Sequence, residues 1–242
     1  MNKVLDLLFS KSCWNLKYPG ILISVTGGAE LSIQPRLKKI LSKGIINATK
    51  ETDALIVAGG TYNGCMKLVG NAIERYNSLC DPCEKIPLIG VADWCCVVGN
   101  ESLRAHLGGE NLYAISNNNV VKNRAYLDPN HSHLLLVDNA SYKFGGEIRF
   151  RSELESAISR GANSYAIQAK SIPIIVLVIG GGVGTITTVW ESIGKGVPCI
   201  FIKSTGRACD LFIELLEQSV KLKINQSIKD IIREYNLASL TI

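Results

Sequence analysis

Apolar residues along this chain come in short, mostly β-branched runs, and most of these runs stop at or close to glycine or a small polar residue. Such runs lie at 21–26, 54–58, 87–92, 133–138, 172–179 and 198–202. The run 172–179 is almost purely aliphatic, as expected of a strand buried on both faces of a parallel sheet. Between the runs the apolar positions change to helical spacing. Leu37, Ile40, Leu41, Ile45 and Ile46 define a helix over 34–49, with Pro35 in its first turn. Further helices are predicted through Met66, Val69 and Ile73, over 151–159, from Thr185 to Ile193, and over 208–218. The tail 221–235 is amphipathic, with Ile224, Ile228, Ile231 and Ile232 on one face. The stretch 99–124 is polar and Asn-rich at 117–119. It reads as an insertion or long loop, with a short strand at 112–115.

The repeated order of strand, glycine turn and helix predicts an α/β fold. Its sheet is expected to be mostly parallel, with helices on both faces and right-handed crossovers. In such sheets ligands bind beyond the carboxyl ends of the strands, where the strand order reverses.

Composition narrows the class. The 242 residues, 47% hydrophobic, make one large domain or two small ones. No apolar run approaches the roughly 20 residues of a membrane helix. The patch 4–9 is followed by no small-residue cleavage site, so it is not read as a signal peptide. The net charge of +5 is dispersed without a basic block, so no nucleic-acid partner is expected. Eight cysteines without a secretion signal suggest reduced thiols and a cytosolic setting. Cys80 and Cys83 form a CxxC pair, but no second pair accompanies it, and it falls in a loop. No metal is expected there, nor at His131 and His133, which lack a third ligand of matching spacing. No nucleophile elbow is present.

Four predicted strand ends carry similar chemistry: Thr26-Gly27-Gly28, Gly59-Gly60-Thr61, the turn Gly181, Gly182, Gly184 and Thr185, and Thr205-Gly206-Arg207. A parallel sheet brings these ends to one edge. Glycines let backbone N–H groups approach an anion, and a helix N-terminus adds about half a positive charge. Arg207 can hold phosphate through two parallel hydrogen bonds, and Arg151 is a second candidate. The expected ligand is phosphorylated. Asp138, at a strand end, would contact a ribose hydroxyl or cap a turn; the sequence leaves both open.

Those residues resemble a known family. Residues 23–29 (ISVTGGA), Pro35-Arg36-Leu37, Gly59-Gly60-Thr61 with Gly64 and Met66-Lys67, residues 130–133 (NHSH) running into 136–139 (LVDN), and residues 205–210 (TGRACD) resemble the N-terminal homology region of melastatin-type transient receptor potential (TRPM) channels. The similarity runs in order over most of 18–215. It implies a Rossmann-like SLOG domain at 18–220. An N-terminal extension (1–17) would precede it, and an amphipathic tail (221–242) would lead towards a downstream helical region. It also implies a cytosolic position in a tetrameric, calcium-permeable channel. The chain, which has no pore segment, would then be a fragment of a longer polypeptide. No cofactor is required. The implied ligand is ADP-ribose or a related nucleotide, held by Thr26, Gly27, Gly28, Phe144, Arg151, Gly181 to Thr185, and Arg207.

Two departures from the family pattern concern that ligand: Phe144 stands where its nucleotide binders usually have Tyr, and Gly180 where the family has an acid. The same superfamily contains phosphoribohydrolases with paired glutamates after the glycine turn. Here Thr187 and Thr188 occupy those places, and Glu191 lies a helical turn further on. General acid–base chemistry needs a carboxylate there, so a non-enzymatic domain is expected. A free-standing nucleotide phosphoribohydrolase and a structural domain with a vestigial pocket are the alternatives.

Overall fold

A computed structural model describes residues 1–104, 108–116, 122–140, 143–161 and 171–221. Six strands, β1 (Ile21–Gly27), β2 (Ala54–Ala58), β3 (Leu88–Asp93), β4 (His133–Val137), β5 (Ile174–Ile179) and β6 (Cys199–Phe201), form one sheet in the order β4-β3-β2-β1-β5-β6. Every neighbouring pair is parallel. The α-helices among the described residues are α1 (Asn2–Phe9), α2 (Pro35–Thr52), α3 (Gly64–Asn77), α4 (Ile148–Ser159), α5 (Val183–Gly194) and α6 (Arg207–Lys221).

The period of two along each strand divides the core. Val25, Ile56 and Ala58 face α2 and α3, where Leu41, Ile45, Val69 and Ile73 are buried. Their neighbours Leu22, Leu55 and Val57 face the other way, onto Leu5 and Leu8 of α1 and Leu154 and Ile158 of α4. On β5, Val176 and Val178 pack against Val189 of α5 and Phe212 of α6. The sheet therefore has helices on both faces, as its near-continuous apolar strands require.

Some elements differ from the sequence expectation. The patch 4–9 is part of a helix whose Leu5 and Leu8 are fully buried. Its eight residues give too little periodicity to be distinguished from a loop. No strand forms at 112–115. Leu112 is exposed, and the segment is fastened instead by the Tyr113 hydroxyl, which donates to the Val98 carbonyl at 2.6 Å. The Asn-rich 117–119 and the tail beyond 221 lie outside the described residues.

The strand order reverses between β1 and β5. The chain builds outward from β1 to β4, then returns through α4 to the other side of β1. Gly27 and Ile179 are register partners at the carboxyl ends of these two strands. This is the topological position at which open α/β sheets hold ligands.

Candidate functional site

At this reversal three of the four glycine turns meet. The Gly28 amide donates to the Ile179 carbonyl at 3.2 Å, joining the β1 turn to β5. The Gly180 amide donates to the Thr205 hydroxyl at 2.8 Å, and that hydroxyl donates to the Ile202 carbonyl at 2.6 Å. Thr205 thus ties the β5 turn to the β6 turn. Ala208 and Cys209, in the first turn of α6, donate to the carbonyls of Gly181 and Gly180 at 3.2 and 3.1 Å. Gly181 has φ +113°, and a Cβ on it would overlap the buried Thr185 side chain. Only glycine fits that turn.

The N-terminus of α5 opens onto this turn. Its N-cap is Gly182, and no side chain caps it. The first intrahelical bond runs from the Ile186 amide to the Gly182 carbonyl. The amides of Val183, Gly184 and Thr185 therefore have no partner within the helix, and they carry the positive end of its dipole. Arg207 stands beside them. Its guanidinium Nη2 would lie 3.7 Å from a Cβ built on Gly182, and its Nη1 is 3.5 Å from the Glu30 carboxylate. Arg207 has φ +54°, a left-handed conformation costly for a residue with a side chain. Asp210 holds that turn by accepting from the amides of Ser204 (2.8 Å) and Gly206 (2.9 Å).

The other sequence candidates are placed differently. The turn Gly59-Gly60-Thr61 is engaged by a later segment. The Gly60 carbonyl accepts from the Asp128 amide at 2.9 Å, and Thr61 forms an antiparallel bridge with Leu127. Phe144 is half exposed in the loop before α4. Thr26 is buried at the end of β1.

Arg151 is buried, 6% exposed. Its Nε donates to Glu155 at 2.8 Å. Its Nη2 donates to the Ser24 hydroxyl at 2.7 Å and to the carbonyls of Val25 and Val57 at 3.0 Å each. These bonds commit Nε and Nη2 to fastening α4 onto β1 and β2. The only sign of this pair in the sequence is its two charges on a helix stripe, 151, 154, 155 and 158, that is otherwise apolar.

Thr187 and Thr188 donate to the carbonyls four residues back, Val183 at 3.1 Å and Gly184 at 2.9 Å. They present no acid to the turn. Glu191 lines a cleft with Ile174 and Val197, towards the amino ends of β5 and β6.

Sequence reasoning missed two acids near α4: Asp93, which is buried, and Glu147, which is half-buried. Asp93, ending β3, accepts from the Cys95 amide at 2.9 Å, while its Oδ2 is buried with no hydrogen-bond partner among the described residues. Burial pushes its carboxyl above the ordinary range, the amides of Cys95 and Cys96 oppose this, and the Asp138 charge adds to it. Glu147, just before α4, is also raised by burial, with Arg151 opposing and Asp93 reinforcing. Asp138 accepts from the Ala140 amide at 3.0 Å, a turn-capping bond. His131 is buried 3.7 Å from Asp128, and His133 packs on the Trp14 ring. Among the described residues, no group of three His, Cys, Asp or Glu side chains is arranged to hold a metal. All eight cysteines are free.

Comparison with known proteins agrees with this architecture. The family model described as "SLOG in TRPM" matches residues 1–238. Transient receptor potential cation channel subfamily M member 2 of Mus musculus is 36% identical over 206 residues, which are 84% of this chain and 14% of the mouse protein. The subfamily M member-like 2 protein of Nematostella vectensis is 36% identical over 230 residues, covering 93% of this chain and 15% of that relative. Subfamily M member 7 of Rattus norvegicus is 34% identical over 228 residues, 89% of this chain and 11% of the rat protein. The chain thus spans about a seventh or less of the length of these relatives. No helix of the described residues is long and apolar enough to cross a membrane. With strand order, glycine turns and family model in agreement over nearly its whole length, the chain belongs to the SLOG family of TRPM channels.

Proposed function

We propose that this chain is a cytosolic ligand-sensing and assembly region of a TRPM-like, calcium-permeable cation channel, and that its β1/β5 crevice holds a nucleotide such as ADP-ribose. The supporting observation is the convergence of the β1, β5 and β6 turns on the uncapped N-terminus of α5, with Arg207 alongside. Uncommitted amides and a guanidinium form a donor set suited to a phosphate or pyrophosphate. In this reading the α5 amides and Arg207 take the phosphates. Thr26, Gly27 and Gly28 form the facing wall, and Phe144 lies at the rim. The rest of the channel and neighbouring copies in a homotetramer are its partners.

Binding rather than cleavage is favoured because the hydroxyls of Thr187 and Thr188, where the related hydrolases carry acids, are absorbed by their own helix. A purely structural role has one observation on its side: Arg151 is spent on internal bonds. Thermal shift and calorimetry with ADP-ribose, AMP and ATP separate these readings. Stabilisation by one of them that disappears in Arg207→Ala is the expected result. No stabilisation by any of the three favours the structural role. Release of free base or ribose phosphate during incubation overturns the binding-only view.

A further inference from the structure

Among the described residues Arg207 forms an ion pair with Glu30, whose placement follows from the fold. The segment after β1 is held against the glycine turn. Leu31 packs into the core beside Ile33 and Leu37, and its Cδ1 would lie 3.2 Å from a Cβ built on Gly180. The Glu30 carbonyl is so near Gly28 that a Cβ there would sit 2.7 Å from it. With Leu31 anchored and its own carbonyl held against Gly28, Glu30 is carried over the β1/β5 crevice towards Arg207. Its carboxylate ends 3.5 Å from Arg207 Nη1. A carboxylate is itself an anion with two oxygens and the right geometry for a guanidinium. It is therefore drawn to the group that a phosphate would use.

We propose that Glu30 is a specificity-determining residue of this crevice: an internal carboxylate that competes with phosphate for Arg207 and discriminates against highly charged ligands. The proposal rests on the reading of the crevice as a nucleotide site. Both partners are well exposed, 59% for Arg207 and 91% for Glu30. A pair so exposed is weak and screened by water, so an incoming phosphate displaces it readily. The displaced carboxylate stays tethered at the rim, because Leu31 is fixed. Each further negative charge on the ligand then adds repulsion against it. A ligand with few charges passes at small cost, and a triphosphate does not.

The test is calorimetry on the full chain and on Glu30→Gln, with AMP, ADP-ribose and ATP as probes at low and high salt. Glu30→Gln keeps the size and removes the charge. Its expected effect is roughly three- to fivefold tighter ADP-ribose binding, the scale of one exposed ion pair. The gain should be larger for ATP than for AMP and should shrink at high salt. Arg207→Ala is the companion. It should abolish binding of all three probes. Unchanged affinities in Glu30→Gln, with binding still abolished by Arg207→Ala, overturn the role of Glu30 and leave the nucleotide site standing. An equal gain for all three probes overturns charge discrimination. No binding of any probe by either the natural chain or Glu30→Gln overturns both the site and the role of Glu30.

Discussion

Replacing Arg151 by Met tests whether this residue is first of all a structural clamp. The guanidinium supplies four hydrogen bonds within the core, to Glu155, to Ser24 and to the strand-end carbonyls of Val25 and Val57. Met fills comparable space but offers no donor. Glu155, 6% exposed, would be left as a buried, unpaired carboxylate. Breaking a buried pair by removing one partner costs about 3–5 kcal/mol. The orphaned hydroxyl and carbonyls lie within that figure rather than beside it, since such effects are not additive. A domain of this size has a total stability of about 5–15 kcal/mol, so the variant should be near its limit. Urea unfolding followed by far-UV circular dichroism should show the midpoint falling sharply with little change in slope. The double variant Arg151→Met/Glu155→Leu should recover part of the loss, because neither charge is then buried. A single variant within about 1 kcal/mol of the natural chain would refute the clamp and return Arg151 to the ligand site alone.

Two further outcomes follow from the packing. Asp93 is protonated more readily when folded than when unfolded, because burial penalises its ionised form. Its contribution is thus fully present below the ordinary carboxylate range and is lost as pH rises through the raised folded value. Asp93→Asn should therefore gain stability relative to the natural chain as pH rises above the ordinary carboxylate range. Parallel urea-midpoint curves for the two proteins would contradict this. Gly64 opens α3 with φ +43°, and a Cβ there would overlap the Gly28 carbonyl, which accepts from the Cys65 amide at 2.9 Å. Gly64→Ala should cost more than about 3 kcal/mol from overlap and left-handed strain together, read as a drop in Tm. A Tm unchanged within a degree would show that the turn relaxes freely.

The relation of the two acids near α4 to the crevice shows how the fold distributes charge. Burial raises both Asp93 and Glu147; the Asp93 charge adds to the rise at Glu147, and Arg151 opposes it there. Arg151 is thus placed between a purely packing task and an electrostatic one. Arg207 is exposed beside the α5 N-terminus, whereas Arg151 is buried and holds the carboxyl ends of β1 and β2 in place.

Much of the fold was legible in the sequence. Hydrophobic runs are dictated by burial on two faces, so β2 was predicted at its observed bounds and the other five strands within about two residues of theirs. The glycines marking the ends of β1 and β5 were equally plain, because a backbone that turns this tightly excludes a Cβ. The Gly-Arg-x-x-Asp spacing was visible too, although the sequence did not say that Asp210 would clamp the turn carrying Arg207. Tertiary structure decided what periodicity cannot encode. Strand order selected the β1/β5 edge and gave the Gly59-Gly60-Thr61 turn to the segment around Asp128. Long-range pairing turned Arg151 inward to Ser24, more than a hundred residues away in the chain. It also brought Glu30 across to Arg207. Each of these depends on which strand ends become neighbours, and a local pattern of apolar and polar residues carries no information about that.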